Sequence, residues 1–115
     1  MTDSSFEQRD CEPCRGGVPP MTEAEARAAL EALPNWSLTP TATRLHRRFS
    51  FPDFASAKRF VDQIADLAEQ QAHHPEITFG WGYVELGIWT HKINGLHDND
   101  FILAAKAGRV FDETV

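Results

Sequence analysis

The segment AEQQAHHPEITFGWGYVELGIWTHKINGLHDND, residues 68–100, contains the change from helical to strand periodicity that decides the fold. Its first residues end a helical pattern, because Pro75 lacks a backbone N–H and restricts the residue before it. Two β-like runs follow, EITFGW and YVELGIWT, and they are separated at Gly82. In the second run apolar residues alternate with other residues, as expected of a half-buried strand. The segment therefore predicts a helix followed by two antiparallel strands.

Further elements are predicted on both sides of this segment. Asp53 is a suitable N-cap for the long helix, which ends near residues 71–74 and buries one apolar stripe. Thr22 and Glu25 have capping-box spacing at the start of an earlier helix that Pro34 ends. NWSL and RLHRRFSF are predicted strands, and DFILAAKAGRV is a last helix. The predicted order is α-β-β-α-β-β-α. The predicted class is α+β, a two-layer sandwich with a four-stranded antiparallel sheet and helices packed on one face.

Length and composition indicate one small globular unit. The chain has 115 residues with 42% hydrophobic content, which suits a single two-layer core. Residues 1–20 are predicted to be a flexible N-terminal tail and residues 21–115 a single domain. The net charge of -6 argues against non-specific binding to nucleic acid or to anionic lipid. No apolar run approaches the length of a membrane span, and no secretory signal is recognisable, so we expect a cytoplasmic protein.

Three histidines stand where secondary structure is predicted to change: His73 and His74 at a helix end, and His91 after a strand. A metal site is one interpretation, but adjacent helical residues diverge by about 100° and the HExxH spacing is absent. Taken singly, each histidine is better explained as a helix cap or a polar strand end. Taken together, they favour a shared cleft and proton transfer, since imidazole can donate or accept a proton near neutral pH.

Two other features have structural interpretations. Cys11 and Cys14 form a CxxC pattern, but no second pair or strand–helix context accompanies it, so we interpret them as incidental tail cysteines. A metal or redox link between subunits is the alternative. Arg44, Arg47 and Arg48 form a basic strand, which we interpret as a solvated face or a subunit contact because the protein is acidic overall.

The spacing of the histidine segment resembles a known signature. The run Glu69-x3-His73-His74-Pro75-x5-Trp81-x9-His91-x8-Asp100 resembles that of the pterin-4a-carbinolamine dehydratases, also called 4a-hydroxytetrahydrobiopterin dehydratases. The resemblance covers about residues 21–110 and includes LPNW and RFSFPDFASAKRFV. It implies a hydro-lyase that converts a 4a-hydroxytetrahydropterin to quinonoid dihydropterin and water, after turnover of a pterin-dependent aromatic amino acid hydroxylase. The pterin is then the substrate, and neither a cofactor nor a metal is expected.

The resemblance also implies roles for individual residues. His73 and His91 are expected to be the acid and the base, in either assignment, and His74 to orient the pterin or stabilise charge. Glu69 is expected to hydrogen-bond an imidazole, Trp81 to form a flat wall for the ring, and Asp100 to hold His91 or the adjacent loop. Pro75 and Thr90 complete the predicted set as supporting residues.

Quaternary structure and a rival function follow from the same resemblance. Members of the family are expected to be homodimers or homotetramers. The alternative to catalysis is a protein-binding module on the same fold, of the kind that acts as a dimerisation partner of a transcription factor. A His/Cys zinc protein is a third possibility.

Overall fold

A four-stranded antiparallel sheet is the centre of the computed structural model, which describes residues 4–12 and 18–114. The strands are β1 (Ser37–Leu38), β2 (Leu45–Ser50), β3 (Glu76–Gly80) and β4 (Tyr83–Ile88). They lie in the order β1-β2-β4-β3, so the hairpin β3–β4 joins the rest of the sheet through β4. The end of β4 therefore lies beside the beginning of β3, and β3 begins two residues after His74.

The helices are α1 (Ser4–Gln8), α2 (Glu23–Leu30), α3 (Phe54–Gln71) and α4 (Asp98–Thr114), with a short 3-10 helix at His91–Ile93. From α2 to α4 their order with the strands is the predicted one, apart from the added 3-10 turn. The predicted α+β fold with a four-stranded antiparallel sheet is confirmed. None of the described helices combines the length and hydropathy needed to span a bilayer.

Local capping explains where two of the helices begin and where α3 ends. Thr22 and Glu25 form the reciprocal capping box that their spacing predicts. The side chain of Asp53 accepts a hydrogen bond from the backbone N–H of Ser56 and so caps α3. The end of α3 is set by Ala72, which adopts a left-handed conformation with φ 54° and bonds back to the last turn. This turn lies three residues before Pro75, so α3 ends before the proline.

The hydrophobic core lies between one face of the sheet and the helices. Alternate residues of β4 are buried, and α3 contributes its apolar stripe. The buried apolar members of these two elements are Val84, Leu86, Ile88, Ala57, Phe60, Ile64 and Ala68. The other sheet face carries polar contacts such as the 2.8 Å ion pair between Arg48 and Glu85. On the same side Arg44 lies 4.2 Å from the ring of Trp89. Arg47 instead stacks on Phe49, so the basic strand is divided between the two faces.

The first residues depart from the sequence prediction. The sequence predicts a flexible tail over residues 1–20, whereas α1 forms within it and packs against α4. Phe6 stacks on the buried Phe101 with ring centroids 5.7 Å apart. The sequence does not predict this helix, because one aromatic side chain without periodic neighbours gives no helical signal. The flexibility of the tail as a whole and the boundary at residue 20 remain predictions.

Candidate active site

The side chains of His73 and Asp100 form the central contact of the candidate site. His73 follows the left-handed residue that ends α3, and Asp100 lies in the first turn of α4. The His73 Nε2 atom is 2.6 Å from Asp100 Oδ1. The aspartate is completely buried, and the histidine side chain is 11% exposed. A buried carboxylate of this kind is stable only when its oxygens are well hydrogen-bonded, so Asp100 requires partners besides His73.

The second oxygen of Asp100 accepts two further hydrogen bonds. The Thr90 hydroxyl donates to Oδ2 at 2.7 Å, and the backbone N–H of His97 donates to the same atom at 2.8 Å. An ionised carboxylate is an acceptor only. His73 therefore carries its proton on Nε2, and Nδ1 is the nitrogen left for a substrate. Among the residues that the structure describes, none forms a hydrogen bond with Nδ1.

His91 is the residue that follows Thr90, and the protein holds it in a short closed loop. Thr90 and Gly95 form an isolated antiparallel bridge, with the Thr90 N–H donating to the Gly95 carbonyl at 2.8 Å. The 3-10 helix that begins at His91 lies inside this loop. The imidazole is exposed and stacks on Trp89, with ring centroids 4.3 Å apart and planes 27° from parallel. The chain His73–Asp100–Thr90 thus links the first imidazole to the backbone that carries the second.

His74 and Glu69 form a separate, exposed pair. Their side chains are 60% and 79% exposed, and His74 Nε2 is 2.5 Å from Glu69 Oε2. His73 turns into the protein while His74 turns to solvent, in keeping with the divergence expected of adjacent residues at a helix end. Glu69 therefore bonds an imidazole, as the sequence predicts, and that imidazole belongs to His74.

Three of the predicted site residues have positions that the sequence could not supply. Asp100 bonds His73 and the loop backbone, whereas the sequence prediction gives it His91 or the loop. Pro75 is half-buried in the connection from α3 to β3. Trp81 lies in the turn between β3 and β4 and is 72% exposed. The five residues of β3 separate it from the histidines by roughly 16 Å at ~3.3 Å per residue, so it lies at the opposite end of β3 within one chain. Its role as a wall for the pterin ring stays a prediction.

The predicted set does not resemble a metal centre in the described part of the chain. Within residues 4–12 and 18–114, no group of three or more His, Cys, Asp or Glu side chains is arranged to hold an ion. Burial, followed by the charge of Asp100, raises the pKa of the Cys11 thiol to about 11, so this thiol is protonated and a poor ligand at neutral pH. Cys14, the second cysteine of the CxxC pattern, lies outside the described residues.

Sequence reasoning missed two polar residues next to this contact, Gln71 and Asn99. Both are buried amides, and both hydrogen-bond residues of the N-terminal segment. The only signal in the sequence is their position: Gln71 lies two residues before His73, and Asn99 lies one residue before Asp100. Their partners lie 60 and 87 residues away in the sequence, so no periodicity connects them.

Comparison with known proteins gives a consistent result. A family model described as pterin 4 alpha carbinolamine dehydratase matches residues 19–110. The chain is 51% identical to "Putative pterin-4-alpha-carbinolamine dehydratase 1" of Cupriavidus pinatubonensis over 91% of this chain and 90% of that one. It is 45% identical to "Putative pterin-4-alpha-carbinolamine dehydratase" of Methylococcus capsulatus over 98% of this chain and 99% of that one.

Two solved structures are also similar. One is described as a transcriptional coactivator/pterin dehydratase from Brucella melitensis, with a TM-score of 0.74 and 34% identity over 79% of this chain and 97% of that one. Another is described as a pterin dehydratase-like protein that is a RuBisCO assembly factor in the alpha-carboxysome. Its TM-score is 0.58 and its identity 26%, over 66% of this chain and 88% of that one.

Proposed function

The chain belongs to the pterin 4 alpha carbinolamine dehydratase family, and from this premise we propose that it removes water from a 4a-hydroxytetrahydropterin. The observation that carries the proposal is the His73 imidazole, whose Nε2 atom is held by the buried Asp100 and whose Nδ1 atom has no partner among the described residues. A histidine fixed by a carboxylate in one tautomer is suited to general acid–base catalysis. The product is the quinonoid dihydropterin.

The reaction needs two proton transfers, and two imidazoles account for both. The bond between C4a and the hydroxyl oxygen breaks as an imidazolium gives the departing hydroxyl a proton, so that water leaves. A neutral imidazole takes the proton from N5, and the electron pair of that N–H bond forms the new C=N bond. We assign these two groups to His73, acting through Nδ1, and to His91. Proton exchange with solvent then restores both imidazoles for the next turnover.

His74 and Glu69 are assigned to the substrate rather than to the bond being broken. Their pair is exposed at the same end of α3, where a charged imidazole can orient a polar edge of the pterin ring. Stacking on Trp89 restricts the ring of His91 without desolvating it. Pro75 fixes the connection into β3, and Thr90 supports Asp100. A role in pterin recycling after turnover of an aromatic amino acid hydroxylase and a homo-oligomeric state belong to the same proposal.

The test is the dehydration rate of freshly generated 4a-hydroxytetrahydropterin. We expect His73→Ala and His91→Ala each to lower kcat by roughly 10²- to 10⁴-fold, the usual contribution of one acid–base group. His46→Ala is the matched control, because His46 is an exposed histidine of β2 outside the candidate site. If both site variants dehydrate the substrate at the wild-type rate while remaining folded, the assignment of roles is wrong.

A non-catalytic binding module is the second candidate function. It is favoured by the similar structures, one described as a coactivator and one as an assembly factor. Absence of turnover by the wild-type chain, together with stoichiometric capture of a protein partner, would support this candidate. The His73–Asp100–Thr90 arrangement supports the catalytic candidate instead, because a docking surface does not require an imidazole held by a buried carboxylate.

A further inference from the structure

The N-terminal arm, which we define as residues 9–12, connects the end of α3 with the beginning of α4. Gln71 accepts a hydrogen bond from the Cys11 backbone N–H at 2.7 Å and donates one to the Asp10 carboxylate at 3.1 Å. Asn99 accepts from the Glu12 backbone N–H at 2.9 Å and donates to the Glu12 carbonyl at 2.6 Å. Each amide side chain thus binds the arm through both its oxygen and its nitrogen.

Because both amides are buried, their hydrogen bonds to the arm determine where the arm lies. Gln71 is 9% exposed and Asn99 is 6% exposed. A buried amide without partners would lose about 1–3 kcal/mol for each unsatisfied group, so the arm stays where it satisfies both side chains. Gln71 lies two residues before His73, and Asn99 immediately precedes Asp100.

Two bridges therefore join α3 to α4 at the same place. The first is the His73–Asp100 contact, and the second runs from Gln71 through the arm to Asn99. We propose that Gln71 and Asn99 are positioning residues for the His73–Asp100 pair and act through the N-terminal arm that they hold. The second bridge fixes the separation of the two helix ends, and hence the geometry of the first.

Contacts of Cys11 indicate that the arm also shields the carboxylate from water. The Cys11 thiol donates to the Asn99 carbonyl at 3.5 Å. The thiol therefore lies against the backbone of the residue that precedes Asp100, and burial is the main cause of its raised pKa. Asp100 is completely buried. An interaction with a carboxylate is stronger in a dry environment, so an arm that excludes water strengthens the hold on His73.

The inference rests on the proposed function, and its test separates positioning from stability alone. Gln71→Met and Asn99→Leu keep the side-chain volume but remove the hydrogen bonds to the arm. Gln70→Met is the matched control, since Gln70 is the exposed neighbour of Gln71 on the same helix. Urea denaturation identifies conditions in which every variant is fully folded, and kcat and KM are measured only there.

We expect Gln71→Met and Asn99→Leu each to lower kcat by roughly 3- to 10-fold. The double variant should lower kcat by up to about 100-fold, the loss associated with a misplacement near 1 Å. KM should stay within about twofold, because neither amide contacts the pterin in the proposed mode. The control should match the wild type. A folded double variant with wild-type kcat would overturn the inference, whatever its stability.

A second readout does not depend on turnover. In nitrogen-15-labelled protein, the solvent exchange of the His73 Nε2 proton reports how tightly Asp100 holds and covers it. We expect this exchange to be at least about tenfold faster in the double variant, as in local opening of a protected hydrogen bond. Unchanged exchange contradicts the inference. If the wild-type chain does not dehydrate the pterin, the proposed function fails, while the exchange measurement still decides whether the arm positions His73.

Discussion

The two oxygens of Asp100 face different donors, and this asymmetry makes the tautomer of His73 testable. In Asp100→Asn, the Thr90 hydroxyl and the His97 N–H continue to require an acceptor, so the amide oxygen should take the position of Oδ2. The amide NH₂ would then face His73 Nε2, which must become an acceptor. The proton would move to Nδ1, the atom that we assign to proton exchange. We expect kcat to fall at least about 100-fold, near the contribution of one acid–base group.

The measurement for Asp100→Asn combines kinetics with nitrogen-15 shifts of the His73 ring. The shifts should show the proton on Nε2 in the wild type and on Nδ1 in the variant. Asp112→Asn is the control, because Asp112 is an exposed carboxylate near the other end of α4. A variant with normal kcat and an exchanged tautomer would remove Nδ1 from the mechanism.

Single residues also mark how far the sequence could predict the site. The spacing from Glu69 to Asp100 predicted which residues form the candidate site, since a family signature fixes positions along the chain. It could not identify their partners. Asp100 and His73 are 27 residues apart, and they meet only because α4 begins against the end of α3. The pairing of Glu69 with His74 likewise depends on how the chain leaves α3 after Ala72.

At the scale of elements, the cap of α3 gives a pH-dependent prediction. The Asp53 carboxylate accepts hydrogen bonds from Ser56, and these lower the pKa of Asp53 below its ordinary value of 3.8. The bond from the Ser56 side chain has the larger effect, and the bond from the Ser56 backbone N–H has the next largest. A carboxyl whose pKa is lower in the folded state contributes stability above its unfolded pKa, and this contribution is lost as the pH falls through the folded value. Asp53→Asn keeps an acceptor at the N-cap but removes the charge.

We therefore expect wild type to be more stable than Asp53→Asn at pH 7 and the difference to shrink below about pH 4. Asp53→Ala should be the less stable variant at both pH values because it has no cap acceptor. Urea denaturation of the three proteins at neutral and acidic pH measures these differences. Asp62→Asn, in the middle of the same helix, serves as the control. A difference that grows on acidification would contradict the cap interpretation.

Elements with a local cause were predictable, and the others were not. The capping box at Thr22, the cap at Asp53 and the alternation in β4 follow from neighbours in the sequence, so those boundaries lie close to the predicted ones. The strand β1 has only two residues and exists through its pairing with β2. The helix α1 depends on a surface of α4 that lies about ninety residues later, and long-range packing of this kind leaves no local pattern.

At the scale of the whole molecule, the packing of α1 decides whether the N-terminal segment belongs to the cooperative core. Phe6 stacks on the buried Phe101, and the Lys106 ammonium donates to the Glu7 carbonyl at 3.0 Å. We expect Phe6→Ala to lower the free energy of unfolding by about 1–2 kcal/mol, since a half-buried aromatic ring loses part of its transfer free energy. Phe54→Ala is the control, because Phe54 is 46% exposed and packs on the sheet hairpin instead.

Urea denaturation followed by far-UV circular dichroism should show one transition with an unchanged slope and a lower midpoint for Phe6→Ala. An effect no larger than that of Phe54→Ala would mean that α1 opens independently, and hydrogen exchange in residues 6–12 should then be fast while the sheet stays protected.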